Sequence, residues 1–235
     1  MSEGLPGMNP IIVALDLEDA VQALQLVDGL GGSVGVFKVG LELFAAEGPD
    51  IVRELIARGK DVFVDLKMYD IGATVERATA RVAGLGARFL TVHSSPQVIR
   101  AALAGAAGSQ LKILAVTVLT SFDDSDVADL GYTGLSASTL VEHFVRKGVA
   151  AGVDGFISSP LELARVRALA GPAAILVSPG VRSTGAAHGD QKRVATPLEA
   201  VRAGANYLVI GREITRAADP RAAAARILAD LAGAH

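Results

Sequence analysis

Val62-Phe63-Val64-Asp65-Leu66-Lys67-Met68-Tyr69-Asp70 reads as an apolar strand that ends in a burst of charge. Alternation along a strand sends every second side chain to one face, so Asp65 and Lys67 share a face. A near-continuous aliphatic run marks a strand covered on both sides, as in a parallel sheet. The pattern recurs along the chain. Predicted strands are Ile11–Leu15, Val34–Val39, Val62–Leu66, Phe89–Val92, Ile113–Leu119, Gly155–Ile157, Ile175–Val177 and Tyr207–Ile210. Between them lie stretches with apolar residues at three- and four-residue spacing, among them Ile51–Arg58, Val75–Gly84, Leu140–Ala151, Leu161–Leu169, Leu198–Ala203 and Arg221–Ala232. These predict amphipathic helices. Strand starts fall mostly 20 to 32 residues apart, the length of one strand–helix unit. Such units imply a parallel sheet with right-handed crossovers. Eight of them in 235 residues predict an α/β protein, a single-domain (β/α)8 TIM barrel, over residues 11–235. Residues 1–10, with Gly4, Pro6, Gly7 and Pro10, read as a loose tail. The runner-up, a doubly wound sheet, lacks a G-x-G-x-x-G after the first strand.

Composition narrows the class. Apolar residues make up 51% of the chain, and its 22 basic and 25 acidic residues leave a formal net charge of −3. That balance lacks the basic excess of a general nucleic-acid binder. There is no cysteine, which excludes disulfides, thiolate zinc sites and cysteine nucleophiles and fits a reducing cytoplasm. No apolar run approaches the roughly 20 residues of a membrane span. Met1–Pro10 shows neither a basic n-region nor an apolar h-region, so it does not read as a secretory signal. The expectation is a soluble cytoplasmic protein.

Charges cluster at the predicted strand ends, the face on which barrels of this kind carry their active sites. Asp16 follows strand one, Lys38 lies in strand two, Asp65 and Lys67 in strand three, and His93 follows strand four. Thr120 and Ser121 follow strand five, Arg182 strand seven, and Gly211-Arg212 strand eight. Burying charges costs several kcal/mol each unless they are paired, so a convergent set needs a reason. A structural ion-pair plug is one reading and a reactive centre the other. Asp16 reads equally as a ligand or as the N-cap of the next helix. His93 reads as a satisfied histidine of the barrel rim, and Met68 and Tyr69 as packing residues. Gly211-Arg212 and Gly180-Val181-Arg182 read singly as surface turns. Together, after strands seven and eight, they suggest a phosphate site, with glycine for close backbone approach and arginine for bidentate bonding. The intervals 120–136 and 181–196 are long for such units and read as binding loops.

The run Asp65-Leu66-Lys67-Met68-Tyr69-Asp70-Ile71-Gly72-Ala73-Thr74 closely resembles the D-x-K-x-x-D-I-x-x-T signature of the orotidine 5′-phosphate decarboxylase family. The likeness continues through Ile12–Asp16, Phe37–Gly40, Thr91–His93, Val118–Ser121, Ser178–Arg182, Gly189–Arg193 and Val209–Arg212, in barrel order. The resemblance implies a lyase without metal or cofactor that converts orotidine 5′-monophosphate to uridine 5′-monophosphate and carbon dioxide. It implies a homodimer in which Asp70, Ile71 and Thr74 are donated to the partner's site. On this resemblance Lys38, Asp65, Lys67 and Asp70 form an alternating charged array, with Lys67 delivering the proton to C6. Asp16 and Lys38 hold ribose hydroxyls, Thr120 and Ser121 meet the pyrimidine, and Arg182, Gln191, Gly211 and Arg212 hold the phosphate. Two positions depart from the pattern: Gly72 stands where many relatives have proline, and Glu213 where serine is frequent. Gly72 is expected to loosen the helix start after Asp70.

Two other readings remain. Magnesium-dependent relatives acting on sugar phosphates share Asp-x-Lys-x-x-Asp but place a metal-ligating glutamate where this chain has Lys38, whose ammonium repels a cation. A non-catalytic barrel that binds phosphorylated ligands is expected to have lost a member of the charged array, and none is lost.

Overall fold

The computed structural model describes residues 9–183 and 194–232. Eight parallel strands, β1 (Ile11–Ala14), β2 (Val36–Val39), β3 (Asp61–Met68), β4 (Phe89–His93), β5 (Lys112–Val116), β6 (Gly155–Ile157), β7 (Ile175–Ser178) and β8 (Tyr207–Ile210), pair in chain order and close into a barrel. Helices α1 (Ala20–Leu30), α2 (Leu41–Glu47), α3 (Asp50–Ala57), α4 (Gly72–Leu85), α5 (Pro96–Ala106), α6 (Asp124–Asp129), α7 (Ala137–Ala151), α8 (Leu163–Ala170), α9 (Pro197–Arg202), α10 (Arg212–Thr215) and α11 (Pro220–Ala232) follow their strands. The (β/α)8 expectation holds. Among the described residues no helix is long and apolar enough to cross a membrane.

Strand alternation sorts the core into two layers. Ile12, Ala14, Val36, Phe63, Phe89, Leu114, Val116, Ile157, Val177, Tyr207 and Val209 fill the barrel. Their immediate neighbours, such as Ile11, Val13, Phe37, Val62, Val64, Leu90, Phe156 and Leu208, pack outward with the helices. Both layers are apolar, which is why the strands show no polar period in the sequence.

Several boundaries differ from expectation, each for a local reason. Asn9 and Pro10 are tied to the barrel: the Asn9 amide donates to the Ser33 carbonyl at 2.6 Å, and Leu208 N–H donates to the Pro10 carbonyl at 2.8 Å. Residues 1–8 lie outside the described residues. Strand β5 stops at Val116 rather than Leu119, because its neighbour β6 ends at Ile157. There the Thr117 hydroxyl takes the Ile157 carbonyl at 2.9 Å. The interval after β5 is not all loop. Asp123 and Asp126 form a capping box that starts α6, satisfying the open N–H groups of a helix too short to stand on propensity. Helix α4 begins at Gly72 itself, so glycine there has not pushed the start later.

Candidate active site

Following each strand toward its C-terminal end, the inward positions change from apolar to polar. Val36 gives way to Lys38, Phe63 to Asp65 and Lys67, Phe89 to Thr91, and Ala14 to Asp16. The polar ends open on a cavity of about 780 Å³. Asp16, Lys38, Asp65, Lys67, Thr120, Ser121, Arg182, Gly211 and Arg212 all line it.

Four of these charges form a continuous chain. The Lys38 ammonium donates to Asp16 at 2.9 Å and stands 3.7 Å from Asp65. The Lys67 ammonium donates to both oxygens of Asp65 at 2.9 Å. The Lys38 side chain is only 11% exposed and that of Asp65 13%, so each charge relies on its neighbours for the solvation it has lost. Gly40 is part of this arrangement: a Cβ there would lie 2.8 Å from Lys38 Nζ and 3.2 Å from Asp16. Asp16 is not a helix cap. Asp19 caps α1, accepting Gln22 N–H at 2.9 Å, which leaves Asp16 to the cavity.

Lys67 has φ +47° and is the one described non-glycine residue with positive φ. Such a conformation costs on the order of 1–3 kcal/mol and persists only where its surroundings enforce it. The cause lies in the β3–β4 register. Val64 pairs with Leu90 and Met68 with Val92, so Asp65, Leu66 and Lys67 bulge opposite Thr91 alone. A bulge leaves backbone groups without ladder partners. Here the Lys67 N–H donates to the Thr91 hydroxyl at 2.9 Å, and that hydroxyl donates to Asp65 at 2.8 Å.

The remaining expected residues divide. Asp70, Ile71 and Thr74 do not line their own chain's cavity. Asp70 is exposed and accepts the Ile71 N–H at 2.6 Å, while Ile71 is 69% exposed. Gln191 lies outside the described residues. The loop after β7 is pinned at both ends, where Val181 bridges Ala195 and Arg182 N–H donates to the Ala195 carbonyl at 3.0 Å. Glu213 accepts the Ser183 N–H at 3.2 Å, linking the start of that loop to helix α10. At Gly211 a Cβ would meet only Ala14 at 3.7 Å and Asp16 at 3.9 Å. The protein itself leaves room there, so the open space faces the cavity. Two rim residues correct the sequence reading. Tyr69 is 71% exposed rather than packed. His93 is exposed and meets Tyr69 edge-on, with 5.2 Å between ring centroids, and among the described residues no hydrogen bond to a rim group holds its imidazole.

Residues 9–227 match the family model described as orotidine 5′-phosphate decarboxylase / HUMPS family. The chain belongs to that family. It is 51% identical over 231 residues to an orotidine 5′-phosphate decarboxylase of Rhodopseudomonas palustris, covering 98% of this chain and 97% of that one. It is 49% identical over 223 residues to the enzyme of the same name from a Caulobacter species, covering 95% and 97%. The crystal structure of orotidine 5′-phosphate decarboxylase from Lactobacillus acidophilus superposes with a TM-score of 0.84 at 36% identity, covering 95% of this chain and 99% of that one.

Sequence reading of this family member missed the hydroxyls that tie the strand ends together. Ser94 donates to the Val116 carbonyl at 2.6 Å, Thr117 to Ile157, and Ser178 to the Ser158 carbonyl at 3.0 Å. Thr91 does the same work across β3 and β4 with a charged acceptor. The available signal was a small hydroxyl residue at the polar end of an otherwise aliphatic strand.

Proposed function

We propose that the chain is an orotidine 5′-phosphate decarboxylase, releasing carbon dioxide from orotidine 5′-monophosphate to form uridine 5′-monophosphate in the last step of de novo pyrimidine nucleotide synthesis. The observation that carries this is the Asp16–Lys38–Asp65–Lys67 charge chain in a cavity that Arg182, Gly211 and Arg212 also line. When the bond from C6 to the carboxylate breaks, its electron pair stays on C6, where the ring offers no adjacent sink. The Lys67 ammonium stabilises that pair electrostatically and then transfers a proton to C6. Carbon dioxide leaves, and the Lys67 amine regains a proton from solvent. Asp65 holds the ammonium charged and aimed. Asp16 and Lys38 take ribose hydroxyls, Thr120 and Ser121 the pyrimidine, and Arg182, Gln191, Gly211 and Arg212 the phosphate.

In this reading no metal or cofactor takes part. Lys38 supports it: its ammonium sits between Asp16 and Asp65, where a divalent cation would compete for the same carboxylates. The working unit is a cytoplasmic homodimer. Asp70, Ile71 and Thr74, which miss their own cavity, reach the partner's site and complete the charged array with Asp70.

The test is turnover of orotidine 5′-monophosphate followed by loss of absorbance, with chelator present. Metal-independent decarboxylation is expected, and Lys67→Ala should lose almost all of it while keeping the thermal transition. Activity that disappears with chelator would favour a magnesium-dependent sugar-phosphate reaction, and substantial turnover by Lys67→Ala would remove Lys67 from the chemistry.

A further inference from the structure

We propose that Thr91 is a positioning residue for the Lys67–Asp65 pair, and that its hydroxyl sets the reactive geometry of the lysine. This rests on the decarboxylase reading above. Thr91 is fully buried and is not among the residues lining the cavity. It lies opposite the three-residue bulge of β3, between the pairs Val64–Leu90 and Met68–Val92. One oxygen serves both ends of that bulge. It accepts the Lys67 backbone N–H at 2.9 Å and donates its own proton to Asp65 Oδ1 at 2.8 Å.

These bonds act on different parts of the reactive pair. The first satisfies the N–H that the bulge removes from the ladder and holds Lys67 at φ +47°. That backbone setting brings Nζ back over Asp65, two residues earlier on the same strand. The second fixes the rotation of the Asp65 carboxylate, so that both its oxygens face the ammonium. A valine at this position fills nearly the same space but can neither accept nor donate. The Lys67 N–H and Asp65 Oδ1 would then lose a shared partner in a place where water has little access. Small displacements of a reacting group cost rate more than affinity, and the proposed phosphate residues Arg182, Gly211 and Arg212 lie after β7 and β8, away from β3 and β4.

The experiment compares Thr91→Val and Thr91→Ser with the wild type in steady-state turnover of orotidine 5′-monophosphate, thermal unfolding and crystal structure. Thr91→Val is expected to lower kcat on the order of 10- to 100-fold while KM changes less than about threefold. Thr91→Ser, which keeps the hydroxyl, should restore kcat to within about threefold of wild type. In the valine crystal Lys67 should leave the left-handed region or its ammonium should lose one Asp65 oxygen. Wild-type kcat in Thr91→Val overturns the proposal. So does an equal loss in both variants, which would mark a packing role. Should the wild type itself fail to decarboxylate, the functional reading falls. The crystal comparison then decides the positioning claim alone, since an unmoved Lys67 in Thr91→Val contradicts it.

Discussion

At the scale of single residues, His93 shows how the charge chain reaches the rim. Burial of its ring, and then the nearby Lys67 ammonium, hold the His93 imidazole below its ordinary value of 6.5. The folded chain therefore binds fewer protons than the unfolded chain near that pH. Stability is retained above 6.5, declines as pH falls through that value, and levels off below the lower folded value. The ring is partly exposed, so solvent screens the effect. An NMR titration of the imidazole should place its midpoint below 6.5, and Lys67→Ala should move it upward without reaching the free value. A midpoint unmoved by Lys67→Ala would show that the ammonium does not act on the ring. Charge was the legible part of this site: Lys38, Asp65 and Lys67 stand out because ionised groups seldom end aliphatic strands. Thr91 did not stand out, since threonine suits any strand and its importance comes from the bulge opposite it, a property of register between two strands.

At the scale of elements, helices α4 and α5 approach each other closely in the barrel wall. A Cβ on Gly105 would lie 2.2 Å from the Glu76 carbonyl oxygen and 2.9 Å from Thr79 Cβ. Gly105→Ala therefore forces the two helices apart, at about 3 kcal/mol, the upper end of ordinary overpacking costs. For a chain of this size that is a fall in Tm of roughly 6–12 °C. Gly84 in α4 is the contrasting case, with nothing within 4 Å of a Cβ. Gly84→Ala is expected to stabilise by about 0.5–1 kcal/mol through lower backbone entropy in the unfolded chain. Paired thermal melts check both, and similar responses would mean that the helix contact is softer than its geometry. Element existence was legible because the strands are uniformly apolar and the helices amphipathic. Gly105, inside Ala104-Gly105-Ala106, was not, since its constraint comes from another helix. Helix α6 was overlooked for a related reason: its start rests on the two aspartates of the capping box, which read in sequence as loop polarity.

At the scale of the whole molecule, the proposed charged array would stop one member, Asp70, short in a single chain. Asp65 and Lys67 face their own cavity while Asp70, three residues later, faces solvent. Around it, at the C-terminal ends of the neighbouring strands β2 and β3, Leu41, Tyr69 and Ile71 are 61%, 71% and 69% exposed. Large exposed apolar side chains near an exposed carboxylate favour a covered face over a solvated one. A twofold dimer places the same patch on both subunits, so each donates what it receives. Complementation then has a definite arithmetic. Lys67→Ala and Asp70→Ala should each be nearly inactive alone. After subunit exchange at equal concentrations, half the dimers are mixed, and each mixed dimer carries one site with Lys67 from one chain and Asp70 from the other. Activity should therefore return to about a quarter of the wild-type level. If exchange is verified by mass spectrometry and activity stays absent, Asp70 does not serve the neighbouring site. Recovery well above a quarter would mean that the second, doubly altered site also works, which the assignment of Lys67 as proton donor forbids.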